Sequence, residues 1–386
     1  METYDNLAEQ FETGSTKKSC EDAISTLSTS ISKPSWMDEE GRPLVTKDER
    51  TGRYICPWGE VKNPSLRVVF STLKDRMWKP SRRKPKSEEE RKKYLPVVNE
   101  LTPNIRAKWE DCDESVNVRW IGHATCLIRL SGGFTVLTDP VFSKVCAPIQ
   151  VGFPRFTPPA LQINELPQID VILISHDHYD HLDIKSLSKI YNLGILSERG
   201  KFFVPLGTKT LLLKEISNLK PQRVVEMGWW ESDILGNMDD TDMLNQAIHG
   251  ESSKTRDIHL TITCLPAQHW CCRNPYDRNK RLWCSWAVQA QCSNSQEKEH
   301  LADTVASFYF AGDTGYNTTF NFHKMIGNKL GPFDFAAIPI GAYEPKKMMA
   351  PQHCSPEEAV EIHLDVRSRH TLAIHWGTWP LANEGE

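Results

Sequence analysis

One junction constrains this chain more than any other feature. Val171-Ile172-Leu173-Ile174 is a continuous apolar run, the pattern of a strand buried on both faces. It leads directly into Ser175-His176-Asp177-His178-Tyr179-Asp180-His181, an H-x-H-x-D-H hexamer. Chance supplies such a hexamer in roughly one chain of this length per thousand. His176 and His178 are two residues apart, so an extended strand end aims both imidazoles to one side. Asp180 and His181 fall on the following turn and can face a second ion. Imidazole and carboxylate suit zinc, iron or manganese. Three imidazoles within six residues rarely all find hydrogen-bond partners without a metal.

Two ions need more ligands than the hexamer offers. Three ligand-type residues each directly follow an apolar strand: His269 after 258–265, Asp313 after 306–310 and His375 after 371–374. Open α/β sheets place their sites at such strand ends. Alone, each is as readily a satisfied polar residue; the shared position favours ligands.

The rest of the pattern predicts a layered α/β domain over 116–386. Short apolar runs at 118–121, 126–128 and 134–137 read as strands, with a hairpin at Gly132-Gly133. Further strands are expected at 222–226, 258–265, 282–289, 305–310, 335–339 and 371–374. Helices are expected at 183–193, 207–219, 317–329 and 355–366, the last opened by a capping box, Ser355-x-x-Glu358. The polar stretches 236–257 and 292–303 read as surface loops. Upstream, residues 1–40 read as a flexible arm. Residues 41–115 read as an extended and helical segment packed on the core, with a basic run at 82–93 that is either a solvated face or a patch for anionic headgroups.

Composition excludes several classes. Hydrophobic residues at 39% suffice for a core, and 46 basic against 50 acidic residues disfavour a globally basic nucleic-acid binder. No uncharged stretch reaches the ~18 residues a membrane helix requires, which leaves peripheral attachment open. Met1 to Lys17 is acidic and polar, so no signal peptide is expected. Eleven scattered cysteines without a C-x-x-C pair favour reduced thiols and a cytoplasmic setting.

With Trp120-Ile121-Gly122-His123, Leu137-Thr138-Asp139-Pro140, Gln268-His269-Trp270, Ala311-Gly312-Asp313-Thr314-Gly315, Gly331-Pro332-Phe333-Asp334, Ala337-Ile338-Pro339-Ile340-Gly341-Ala342-Tyr343-Glu344-Pro345 and Ala373-Ile374-His375-Trp376-Gly377, the sequence resembles the metallo-β-lactamase superfamily. Within it, the chain is similar to the family of phospholipases D that hydrolyse N-acylphosphatidylethanolamine, over about residues 41–384. The resemblance implies an αβ/βα sandwich with an N-terminal extension and two zinc ions. His176, His178 and His269 would hold one ion, Asp180, His181 and His375 the other, and Asp313 would bridge them. The implied substrate is a membrane phospholipid, cleaved to an N-acylethanolamine and phosphatidic acid. Implied partners are a membrane surface approached peripherally, a bile-acid-type amphiphile and a second copy in a homodimer. Family chains are expected to continue several dozen residues past Glu384.

Mechanistically, two ions about 3.5–4 Å apart can share one hydroxide that attacks phosphorus in line. Asp180 and Asp313 then act catalytically as well as structurally. His353 matches a family active-site position and could contact phosphate or protonate the leaving group, with Tyr343 and Gln352 beside substrate; a surface-loop histidine is the plain alternative. His123 is expected to orient a ligand or to make an ordinary polar contact. Cys271 and Cys272 lack ligand spacing and read as buried thiols, and Trp229, Trp230 and Trp376 as core or acyl-groove residues. Competing functions are another hydrolase of the superfamily, a lactonase or nuclease, and a non-catalytic metal protein at a membrane surface.

Overall fold

The computed structural model describes residues 34–59, 116–147, 154–236, 258–292 and 303–382. The basic run 82–93, most of the two polar stretches and the last four residues lie outside them. The chain divides into two compact units, Met1–Leu44 and Val45–Glu386. In the first, the Asp38 carboxylate accepts the main-chain N–H groups of Glu40 and Arg42 at 3.0 and 2.8 Å, closing a turn.

The second unit opens with a short ribbon, β1 (Thr46–Lys47) and β2 (Tyr54–Ile55), followed by two six-stranded sheets. The first contains β3 (Asn117–Gly122), β4 (Thr125–Leu130), β5 (Phe134–Thr138), β6 (Ile169–Leu173), β7 (Leu196–Pro205) and β8 (Val224–Met227), in that spatial order. β3 to β5 form an antiparallel meander, and β5 to β8 run parallel. The second contains β9 (Ser232–Leu235), β10 (Ile258–Leu265), β11 (Ser285–Cys292), β12 (Asp303–Phe310), β13 (Phe333–Pro339) and β14 (Ser368–Ile374), again antiparallel first and parallel last. Helices α1 (Ile184–Asn192) and α2 (Thr208–Glu215) accompany the first sheet. α3 (Phe322–Leu330), the short α4 (Lys346–Met349) and α5 (Pro356–Asp365) accompany the second.

Three apolar layers make this a sandwich. Val171, Leu173 and Phe203 of the first sheet face Leu260, Ile262, Trp286 and Phe308 of the second in one central cluster. Their alternate neighbours Ile172, Phe202 and Val204 point the other way, onto Leu187 and Ile190 of α1 and Leu212 of α2. Tyr309, Ala336 and Ile338 likewise pack outward on Phe322 and Ile326 of α3 and Ile362 of α5. Every residue of β6 is buried: Val171–Leu173 as its apolar run requires, and Asp170 with its carboxylate hydrogen-bonded to the Thr135 N–H, the Ser197 hydroxyl and Arg199 Nε. The αβ/βα sandwich is therefore the observed fold.

Helix ends follow local chemistry. Asp183 caps α1, Asn321 caps α3, and α5 starts with the capping box that Ser355 and Glu358 predict. Several elements differ from the sequence reading. β7, β9 and α4 were not foreseen, the strand expected at 282–289 runs Ser285–Cys292, the helix expected from 317 starts at Phe322, and the helix expected to 219 ends at Glu215. No helix among the described residues is long and apolar enough to cross a membrane.

Candidate active site

Strand ends from both sheets converge at one edge. β6 stops at Leu173 and hands the chain to the 175–181 turn, where the N–H groups of His181 and Leu182 both donate to the His178 carbonyl, at 3.0 and 2.7 Å. β10, β12 and β14 deliver His269, Asp313 and His375. The sheets approach so closely here that a Cβ on Gly312 would lie 2.6 Å from the Ser175 Cβ, and Gly312 also has φ +59. Both facts demand glycine before Asp313.

Among the described residues four clusters of ligand-type atoms overlap here, and two of them match the expected ligand sets. Donor atoms of His176, His178 and His269 all lie within 4.8 Å of one another, as do those of His123, Asp180, His181 and His375. Asp313 stands between the groups. Its Oδ2 is 3.1 Å from His375 Nε2, 3.2 Å from His181 Nε2, 3.7 Å from His269 Nε2 and 3.9 Å from His176 Nε2. Asp180 Oδ2 is 3.5 Å from the Nε2 atoms of both His181 and His375. The structure thus brings together all seven residues singled out as ligand candidates.

The set fits divalent cations. The inward Nε2 atoms of His181 and His375, and Oδ1 of Asp313, are buried without hydrogen-bond partners. Such orphans are costly unless something else satisfies them. Burial pushes His176 well below its ordinary pKa, His178 to about 4 and His269 to about 3, leaving neutral imidazoles with lone pairs to offer. Burial works against ionisation of Asp180 and Asp313, yet His181 and its neighbours hold both carboxyls well below the carboxylate range. Reciprocally, burial is outweighed at His375, which Asp313 and Asp180 raise to about 9. The two carboxylates call for positive charge at the centre of the cluster.

Outer contacts fix the ring orientations. Asp139, at the end of β5, lies 2.7 Å from His181 Nδ1 and accepts the N–H and hydroxyl of Ser175, whose oxygen is 2.9 Å from His176 Nδ1. One carboxylate therefore governs two imidazoles. Its place directly after a strand was the signal that could have marked it, shared with Asp313. Behind the turn, Arg273 Nη1 donates to the carbonyls of Asp177 and Leu182 at 2.7 and 2.9 Å, and its guanidinium lies 4.0 Å from the Tyr179 ring. Arg281 pairs with Asp177 and Asp277. No spacing in the sequence pointed to these arginines.

His123 lies with Nε2 3.0 Å from Asp180 Oδ2, while its carbonyl accepts the His375 N–H at 3.1 Å. The buried His353 has Nδ1 3.8 Å from Asp313 Oδ2, with no hydrogen bond to that nitrogen. Gln352 meets the cluster through its main chain: its carbonyl is 2.9 Å from His269 Nδ1, while its side-chain amide turns to Met349. Tyr343 is half-buried on the segment after β13. Cys271 is buried, Cys272 is half-exposed, and Trp229 belongs to the central core.

A family model described as a beta-lactamase superfamily domain matches residues 135–376. An N-acyl-phosphatidylethanolamine-hydrolyzing phospholipase D from Caenorhabditis elegans is 39% identical over 72% of this chain and 68% of its own length. A mitochondrial N-acyl-phosphatidylethanolamine-hydrolyzing phospholipase D from Saccharomyces cerevisiae is 31% identical over 69% of this chain and 48% of its own length. Among solved structures, Igni18, a metallo hydrolase from Ignicoccus hospitalis, matches with a TM-score of 0.42 at 18% identity, covering 70% of this chain and 86% of that one. The chain belongs to the metallo-β-lactamase superfamily and, within it, to the N-acyl-phosphatidylethanolamine-hydrolysing phospholipase D family, and it is a metal-dependent phosphodiester hydrolase.

Proposed function

We propose that the protein is a zinc-dependent phospholipase D that cleaves N-acylphosphatidylethanolamine to an N-acylethanolamine and phosphatidic acid. The observation that carries this reading is the place of Asp313 Oδ2, within 3.1 to 3.9 Å of imidazole nitrogens from both ligand groups. His176, His178 and His269 would hold one zinc ion, Asp180, His181 and His375 the second, and Asp313 both. Two such ions lower the pKa of a shared water and offset charge on phosphoryl oxygens.

The chain's own groups carry the remaining work. Asp180 Oδ2, steadied by His123 Nε2 at 3.0 Å, accepts a hydrogen bond from the attacking water and orients it. His353, buried beside Asp313 with Nδ1 unpartnered and kept neutral by that burial, contacts the phosphate or donates a ring N–H hydrogen bond to the departing ethanolamide oxygen. Tyr343, half-buried after β13, and Gln352 would contact the substrate. The enzyme works peripherally on intracellular membranes, as a homodimer whose surface also accepts bile-acid-type amphiphiles.

Purified protein loaded with zinc and mixed with vesicles of N-acylphosphatidylethanolamine tests the proposal. Mass spectrometry should find both products, metal analysis two zinc ions per chain, and His178→Ala should abolish turnover. A preparation that instead opens a lactone or cuts RNA, with the phospholipid intact, overturns it.

A further inference from the structure

We infer that Gln268 is a positioning residue that sets His353 against the candidate centre. The inference rests on the role proposed above for His353.

Gln268 immediately precedes His269 and is buried. Its main-chain N–H donates to Thr314 Oγ1 at 3.1 Å, and its carbonyl accepts the Gly315 N–H at 2.8 Å. Its side chain reaches a third loop: Nε2 donates to the Pro351 carbonyl at 3.0 Å. Oε1 accepts from Trp58 Nε1 and Asn317 Nδ2, both at 3.0 Å. One residue thus joins the loop bearing His269, the loop bearing Asp313 and the loop bearing His353.

The His353 ring meets His269 edge-on at 5.0 Å and stacks on His375 at 5.3 Å, but its Nδ1 has no hydrogen-bond partner. Its backbone is fixed by its own N–H, which donates to the Met349 carbonyl at 2.8 Å, and by its neighbours. Pro351 is tied to Gln268, Gln352 to His269 Nδ1, and the Cys354 N–H to the Thr314 carbonyl at 2.8 Å. Residues 351, 352 and 354 are anchored on the 268–269 and 314 backbones, and the ring between them projects toward Asp313. The anchor needs a donor and an acceptor in one side chain, which an amide supplies. Glutamate keeps the acceptor and loses the donation to Pro351; leucine loses both. Space does not allow a slack joint, because a Cβ on Gly315 would meet Gln268 Nε2 and the Ala350 carbonyl, each at 2.8 Å. Displacing a reacting group by an ångström costs on the order of a hundredfold in rate.

The test combines kinetics with amide hydrogen exchange in zinc-loaded full-length protein. Gln268→Leu should keep its metal content and KM, while kcat falls by about ten- to a hundredfold. Amides of residues 352–354 should exchange at least about fivefold faster, with those of 176–182 unchanged. In a His353→Ala background the substitution should cost nothing further. Equal losses in both backgrounds, loss of metal or unaltered exchange at 352–354 would each overturn the inference. Should the leucine variant not fold, Gln268→Glu applies the same readouts, since it breaks only the Pro351 link. Should the wild type not turn over the phospholipid, the proposed function falls, and the exchange measurement alone decides the positioning role.

Discussion

The indole rings of Trp120 and Trp376 lie stacked, 2° from parallel with centroids 5.6 Å apart. Trp120 is on β3 and Trp376 follows β14, the outermost described strands on the site side of their respective sheets. The pair therefore staples the two sheets beside the candidate centre. Trp120 Nε1 donates to the His123 carbonyl at 2.8 Å, the same carbonyl that receives the His375 N–H. His123 and His375 both hold left-handed backbone, at φ 54 and 64, which the neighbouring contacts must sustain. Trp376→Ala should lower unfolding free energy by about 1–3 kcal/mol, since the ring is only partly buried. It should also loosen the group containing His375 more than the group containing His269. Metal analysis after dialysis against a chelator should find about one ion retained; two fully retained ions would remove the staple argument.

A second expectation concerns Asp139. Its carboxylate is buried against His181 Nδ1 and fixes which imidazole nitrogen faces inward. Asp139→Asn keeps the shape and removes the charge. Metal affinity, read by competition with a chromophoric chelator, should fall by roughly 10–100-fold, the usual effect of removing such an outer partner. An unchanged affinity would mean that Ser175 and the turn alone orient His181.

The sequence exposed the site more readily than the sheet that carries it. The hexamer was legible because strand geometry turns a spacing of two into a shared direction, β6 and β13 because each carries a continuous apolar run, and β10 because apolar residues alternate along it with His259, Thr261 and Thr263. β7 was not, because Ser197, Glu198, Arg199 and Lys201 give its first half a polar texture. Those residues are held by tertiary partners: the Asp170 carboxylate accepts from the Ser197 hydroxyl and Arg199 Nε at 2.7 and 2.8 Å. α3 starts late because the Asn317 side chain accepts from the N–H groups of Thr319 and Phe320, both at 2.9 Å, folding a turn where a helix was expected. α2 ends at Glu215 because Ile216 turns extended and is buried, although the apolar pattern runs on to Leu219. The alignment of Asp139 with His181, and the grip of Arg273 on the hexamer, are contacts between distant segments that no local spacing records.

Arg281 offers a test of that hidden support. It reaches the buried carboxylate of Asp177, which also accepts the Cys272 N–H at 2.8 Å. Burial already pushes the Asp177 carboxyl above its ordinary pKa, with Arg281 opposing. Arg281→Leu leaves that charge without its main partner and should cost about 3 kcal/mol. The double variant Asp177→Asn, Arg281→Leu should recover part of the loss, because no unpaired charge remains. Urea unfolding of the wild type, Asp177→Asn, Arg281→Leu and the double variant measures this, and strictly additive effects would mean that the two side chains act independently.

His323 gives the acid limb of stability a specific origin. It lies on α3, fully buried against Phe322 at a ring distance of 4.1 Å, and neither ring nitrogen has a hydrogen-bond partner. Burial lowers its pKa from 6.5 to about 3. As pH falls below about 6.5, the unfolded chain binds a proton here that the folded chain refuses, so stability is lost progressively down to about pH 3. The full effect is on the order of 5 kcal/mol, with about 2 kcal/mol of it lost by pH 5. His323→Phe has nothing to titrate at this position. Unfolding free energies at pH 7 and pH 5 should therefore drop by about 2 kcal/mol more in the wild type than in the variant. Because the comparison is between two slopes, a constant packing cost of the phenyl ring cancels. Parallel slopes would mean that the folded protein accommodates a protonated His323.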